Sequence, residues 1–185
     1  MKAILFDNYG DSSVMYCGEI EQPEINEDEV LIKVTAAGIN RPDILQRQGS
    51  YPPPVGASKI LGLEVSGKII KIGKNISLDF LNRDVCALVT GGGYAEYVKT
   101  TVSTVLPLPK GVNIIEAAAI PETFFTVWTN LFDTGSLKKN ETLLIHGGAS
   151  GIGITAALIA KSMGIKFIAT VGSEKKRKFL DSIGS

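Results

Sequence analysis

The sequence predicts an α/β protein: a partly open β-barrel, then the first strand–helix–strand portion of a parallel sheet. Three observations carry this. The first hundred residues hold short β-branched runs separated by Gly and Pro turns, the pattern of a small barrel. Residues 142–146, Thr-Leu-Leu-Ile-His, form one continuous apolar run, as in a strand buried on both faces. A glycine-rich turn, Gly147-Gly148-Ala149-Ser150-Gly151-Ile152-Gly153, follows at once and opens a helical stretch.

The elements follow in order. Residues 1–6 suit a short strand, and residues 30–35 alternate and are β-branched, so they form another. Asn40 starts a short helix, with Pro42 in the first turn, where a missing N–H does no harm, and Gly49 ends it. Tyr51-Pro52-Pro53-Pro54 must run extended. Strands are expected at 65–72, 85–90 and 94–99, with a turn at Gly91-Gly92-Gly93. Leu106-Pro107-Leu108-Pro109 reads as a stiff connector. Asn113 and Glu116 have the spacing of a capping box before a helix start at 116–119. A helix over 123–133 places Phe124, Val127, Trp128 and Leu131 on one face, and Gly135 stops it. The boundary falls here, giving domains over 1–122 and 123–185. The second domain continues with a helix to Met163, a strand over 166–171 and a helix over 174–183.

Composition excludes several classes of function. Nineteen basic and nineteen acidic residues leave no net charge, so the basic surplus of a general nucleic-acid binder is absent. An apolar content of 44% argues against disorder. Cys17, Cys86 and His146 are the only residues of their types, too few and too scattered for a four-ligand zinc site or a disulfide scaffold. An acid at Asp7 comes too early for a signal peptide, and no apolar run is long enough to cross a membrane. These features predict a reduced, soluble, cytoplasmic protein that binds neither nucleic acid nor membrane.

The glycine turn is the strongest chemical signal. Strand before and helix after are the context of a dinucleotide fingerprint, in which glycines let the backbone approach a pyrophosphate and the helix N-terminus supplies donors. The spacing is Gly148-x-x-Gly151-x-Gly153 rather than a strict G-x-G-x-x-G, and a ligand-free βα turn is the alternative. The next strand ends at Gly172-Ser173 without the acid that usually holds ribose hydroxyls, and Lys175, Lys176 and Arg177 follow Glu174. Clustered base there suits a ribose 2′-phosphate, hence NADP(H). A solvated basic helix face is the alternative.

Five blocks in the first two thirds go further. They are residues 37–43 (Ala-Gly-Ile-Asn-Arg-Pro-Asp), 46–54 (Gln-Arg-Gln-Gly-Ser-Tyr-Pro-Pro-Pro), 56–64 (Gly-Ala-Ser-Lys-Ile-Leu-Gly-Leu-Glu), 91–98 and 116–123. In order and spacing the chain resembles the zeta-crystallin-like NADPH:quinone oxidoreductases of the medium-chain dehydrogenase/reductase superfamily, nearest the p53-inducible type. The resemblance implies a GroES-like catalytic domain followed by a Rossmann domain, and reduction of quinones or similar conjugated carbonyls (enones) by hydride transfer. It implies that Asn40, Arg41, Asp43 and Tyr51 meet the substrate, with Asn40 also near the nicotinamide. Thr126 would contact the cofactor, Gly148, Ser150, Gly151 and Ile152 would serve the pyrophosphate, and Gly172, Ser173 and Lys176 the 2′-phosphate. No metal is expected, and no catalytic residue can be named.

Other readings stay open beside these. Asn40 can serve as a helix cap, Tyr51 can stack on the prolines, and Glu64 can be an ion-pair acid. His146 reads as a packed residue. Family members are longer, so the chain reads as C-terminally truncated. Its exposed strand edges then predict a homo-oligomer or a complementing chain. The alternative function is a non-catalytic remnant or interaction module.

Overall fold

A computed structural model describes residues 1–183. Two compact units divide the chain, Met1–Glu122 and Thr123–Ser185.

The first unit opens with an antiparallel pair, β1 (Lys2–Leu5) and β2 (Tyr16–Glu19). The Ile4 amide donates to the Tyr94 carbonyl at 2.8 Å and ties β1 to the barrel. The barrel is a five-stranded antiparallel sheet of β3 (Glu29–Ala37), β4 (Glu64–Ile72), β5 (Asp84–Leu88), β6 (Tyr97–Thr101) and β7 (Val105–Pro107). Its order is β6-β3-β4-β5-β7. Alternation places Val30 and Ile32 from β3 and Val65 and Ile69 from β4 in one core with Val85 and Val98. Each such burial contributes about 1.5–3 kcal/mol. Register shifts at Leu31/Ile32 and Val34/Ala36 bend β3, as bulges do where a sheet curls toward a barrel.

Two expectations change here. The proline-containing stretch expected as a connector is partly a strand, because β7 pairs only with β5 and an edge position tolerates a proline without an N–H. Asn113 does not cap as expected: its Oδ1 accepts from the Ile115 amide at 2.8 Å, ahead of the helix, and the single 3-10 turn over Glu116–Ala119 has Ile115 at its N-cap with no side-chain cap bond.

Helix α1 (Arg41–Arg47) lies between β3 and β4. It turns Asp43 and Gln46, three apart, to the interior. Helix α2 (Pro121–Trp128) carries the chain from the first unit into the second. The single helix expected over 123–133 instead widens into a π-helical turn at Thr129–Thr134. Asn130 gives the reason: its side-chain amide takes the Thr126 carbonyl at 2.8 Å, the acceptor a regular α-helix reserves for the Asn130 N–H.

The second unit holds a parallel pair, β8 (Thr142–Ile145) and β9 (Lys166–Ala169), with α3 (Gly151–Ser162) between them and α4 (Glu174–Ile183) after them. Val127, Ile145, Ala156, Ala157 and Ile159 form its core, joined by Leu143 and Phe167 from one face of the pair. On the other face Leu144 and Ile168, direct cross-strand partners, are 55% and 61% exposed. No helix among the described residues is long and apolar enough to cross a membrane.

Candidate functional site

Each unit carries part of the chemistry. In the second, β8 delivers the chain to the glycine turn. Gly147 sits at φ +67°, and a Cβ on Gly153 would lie 2.6 Å from the Gly147 carbonyl oxygen, so the turn closes only with glycine there. Ser150 caps α3: its Oγ accepts from the Gly153 amide at 3.0 Å, and its carbonyl accepts the Ile154 amide at 2.8 Å. The first-turn amides of Gly151 and Ile152 have no intrahelical acceptor. Both residues are exposed, so those donors and the positive helix end face solvent. Gly148 is buried, held by its amide bond to the Thr170 carbonyl at 2.9 Å.

The loop after β9 lies beside this turn, joined to it through the Thr170 carbonyl. Ser173 Oγ accepts from the Lys176 amide at 3.4 Å and caps α4. Gly172 has open space around it. Glu174 accepts twice from Arg177, at 2.5 and 2.9 Å, and Arg177 also pairs with Asp181. The acid nearest the strand end is thus bound to the neighbouring guanidinium, while Lys175 and Lys176 form no ion pair among the described residues. His146, read as packed, is exposed; its Nδ1 lies 3.2 Å from Thr170 Oγ1 beside the turn. Thr126, on α2, is half-buried.

In the first unit the predicted residues gather around two buried carboxylates. Asp43 is 2% exposed. It accepts from the Asn40 amide at 2.8 Å, the Gly62 amide at 3.0 Å and the Tyr94 hydroxyl at 2.9 Å. Glu64 accepts from Asn40 Nδ2 at 2.8 Å and from the Glu122 amide at 2.9 Å. Among the described residues Glu64 has no cationic partner, so amide donors hold it where an ion pair was one reading. Gly38 leaves it the room, because an added Cβ would overlap the carboxylate.

Burial, with a smaller push from Asp43, raises the Glu64 carboxyl above its ordinary range against the pull of those donors. Glu122 is half-buried and is raised in the same way, by burial first and then by the charges of Glu64 and Asp43. Burial and the Asp43 charge hold the Tyr94 phenol well above its usual value, so it stays a donor.

A cavity of about 680 Å³ opens in this unit, lined by Tyr51, Ile60, Leu63 and Val98 with Gln46 and Glu122. Of the four residues expected at the substrate, Tyr51 alone lines it. Asp43 is interior, Arg41 is exposed to solvent, and Asn40 is half-buried with its amide on Glu64. Gln46 and Glu122, each inside a block of the resemblance, were given no role in the sequence. Two polar residues three apart on the inward face of a short helix, Asp43 and Gln46, were the available signal.

Glu122 yields a test. A carboxyl whose folded pKa exceeds its unfolded value contributes stability below about pH 4.5 that is lost as pH rises through the folded pKa. Glu122→Gln is expected to shrink the fall in urea midpoint between pH 4.5 and neutrality; a fall equal to wild type refutes the shift.

With both half-sites described, the comparisons with known proteins become readable. Residues 26–110 match the family model described as the alcohol dehydrogenase GroES-like domain. The chain is similar to members of the medium-chain dehydrogenase/reductase superfamily. A quinone oxidoreductase of Mus musculus is 31% identical over 182 residues, 97% of this chain and 55% of that protein. A low-reducing polyketide synthase of Aspergillus calidoustus is 35% identical over 170 residues, 92% of this chain and 7% of that protein. The crystal structure of Escherichia coli quinone oxidoreductase complexed with NADPH superposes with a TM-score of 0.85 at 29% identity, covering all of this chain and 57% of that one. The chain thus spans about half the length of the quinone oxidoreductases it matches, and a much smaller share of the polyketide synthase. Among the described residues no group of three or more His, Cys, Asp or Glu side chains could hold a metal ion.

Proposed function

We propose that the chain belongs to an NADPH-dependent reductase of quinones or similar conjugated carbonyls. The carrying observation is the second-unit half-site: the Ser150-capped turn with its two outward amides, joined to Ser173 and Lys176 at the end of β9. The residues fit a dinucleotide. Gly151 and Gly172 leave space where a side chain would intrude, the α3 amides meet the charge of a pyrophosphate, and the unpaired Lys176 ammonium meets a ribose phosphate. Because Arg177 occupies Glu174, the repulsion of that carboxylate on the phosphate is offset. NADPH, when bound, supplies the hydride.

The first unit contributes positioning and exclusion of water. Its cavity is walled by Ile60, Leu63 and Val98 and flanked by Tyr51, an enclosure for a flat apolar acceptor. The similarity to both a quinone oxidoreductase and a reducing polyketide synthase supports the broad acceptor class, conjugated carbonyls.

The test is an NADPH titration followed by cofactor fluorescence, with NADH in parallel. Lys176→Glu is expected to weaken NADPH at least tenfold and to leave NADH within about twofold, the loss of one charge-assisted contact. Equal weakening of both removes the 2′-phosphate role. A second reading rests on the outward pair Leu144 and Ile168, an apolar surface suited to a second copy or a complementing chain. Absence of saturable binding by either nucleotide selects that reading, an interaction module.

A further inference from the structure

His146 is the single histidine of the chain, and its ring is tied at one nitrogen only. Nδ1 lies 3.2 Å from Thr170 Oγ1, while Nε2 has no partner among the described residues. No carboxylate there pairs with the ring. The Thr170 hydroxyl decides which nitrogen carries the proton. Its oxygen already accepts from the Gly147 amide at 3.4 Å. A hydroxyl that accepts there keeps one hydrogen to give, and Nδ1 is the acceptor within reach. The opposite tautomer would put two donors on one oxygen and leave the hydroxyl hydrogen without an acceptor among the described residues. The proton of the neutral ring therefore sits on Nε2. The bonds run in one direction, from Gly147 N–H through Thr170 O–H to Nδ1, and Nε2–H is the free donor at the end.

Position gives that donor a use. Ile145 pairs with Ala169, and the Thr170 amide donates to the Ile145 carbonyl at 2.9 Å, so His146 and Thr170 continue the ladder by one step. Alternation puts both side chains on the face of Leu144 and Ile168, opposite the face of Leu143 and Phe167 that packs with α3. His146 also directly precedes Gly147, the first residue of the glycine turn. The Gly151 and Ile152 amides flank the turn on the helix side, and the imidazole flanks it on the other. A ring already held through Thr170 loses less rotamer freedom on meeting a ligand than an untethered surface side chain does.

We propose that His146 is a nucleotide-binding residue, its Nε2–H donating to an oxygen of the ribose–pyrophosphate segment that NADPH and NADH share. The proposal rests on the nucleotide reading of the glycine turn and extends it to a residue outside the fingerprint, on the far face of the sheet. Thr170 is a positioning residue that fixes the tautomer and aims the ring. Lys176, beyond β9, serves the 2′-phosphate in the same reading, so the two side chains act on different parts of the nucleotide.

The experiment uses the full chain with nitrogen-15 in its one histidine. At about pH 8, where an ordinary imidazole is neutral, NMR of the ring nitrogens is expected to show the Nε2–H tautomer in wild type and a mixture in Thr170→Val. Saturating NADPH and saturating NADH are each expected to shift the Nε2 resonance. In titrations followed by cofactor fluorescence, His146→Leu is expected to weaken both nucleotides alike, about tenfold, the worth of one hydrogen bond to a charged oxygen. His146→Gln, whose amide can stand in for Nε2–H, is expected to bind both within about threefold of wild type. The position is exposed, so the melting temperatures of these variants should match wild type. An Nδ1–H tautomer, an Nε2 resonance unmoved at saturation, or wild-type affinity in His146→Leu overturns the proposal and leaves the nucleotide reading standing. Weakening confined to NADPH overturns the assignment to the shared segment. No saturable binding of either nucleotide by wild type overturns both readings.

Discussion

Asp43→Ala is expected to destabilise the first unit by about 3–5 kcal/mol, because three donors lose their acceptor at once. The Tyr94 hydroxyl and the Gly62 and Asn40 amides all point at this one carboxylate, in a site only 2% exposed. Alanine fills neither the space nor the hydrogen bonds. Tyr94→Phe removes one donor together with its need and should cost about 1 kcal/mol. The double variant should then lose less than the sum, since the orphaned hydroxyl is gone. Urea unfolding followed by hydrogen exchange of the β3 and β4 amides reads the effect, because these strands carry the core of the first unit. The single tryptophan, Trp128, lies in the second unit and reports that unit separately. An unfolding midpoint of the β3 and β4 amides unchanged by Asp43→Ala would refute a structural role for this acid.

Gly153→Ala is expected to abolish the proposed nucleotide half-site. The added methyl would meet the Gly147 carbonyl oxygen and the Gly148 Cα, each at 2.6 Å. Both are backbone atoms of the same turn, so no rotamer change relieves the contact. The turn must open, which moves the α3 amides from the place where a pyrophosphate would sit. A cost of about 1–3 kcal/mol, read from Trp128 fluorescence, should accompany at least a tenfold loss in NADPH affinity. Gly172→Ala is the stability control, since its methyl meets nothing within 4 Å. Unfolding midpoints that match for the two variants would show that the turn tolerates a side chain and that the close packing is not needed.

The barrel strands and the β8–turn–α3 unit were legible because their signals are local. β-branched alternation marks β3 and β4, and an apolar run ending in glycines marks β8 and its turn. β2 and β7 were missed because each owes its existence to a partner: Tyr16–Glu19 pairs with β1, and Val105–Pro107 with β5. Neither stretch has strand character alone. The glycine turn around Ser150 could be read for the same local reason, as could the helix start at Glu174. The first unit resisted. Asp43 and Asn40 stood out as chemistry-bearing types, yet burial and hydrogen bonding turn them to one another and to Glu64. Gln46 and Glu122 lie in two of the blocks that carry the resemblance but had no role assigned, and only the fold places them at one cavity. The π-helical turn depended on one side chain, Asn130, competing for a backbone carbonyl, a choice no periodicity records.

The contact between Gly38 and Glu64 bears on how such a sequence can drift. The carboxylate occupies the volume that any side chain at position 38 would need. A mutation at 38 is therefore tolerable only after the acid has been replaced by something smaller, and restoring the acid first requires clearing 38. The two positions form a ratchet twenty-six residues apart in the chain. Whoever redesigns this barrel must change both in one step, or accept that residue 38 dictates whether residue 64 can remain an acid.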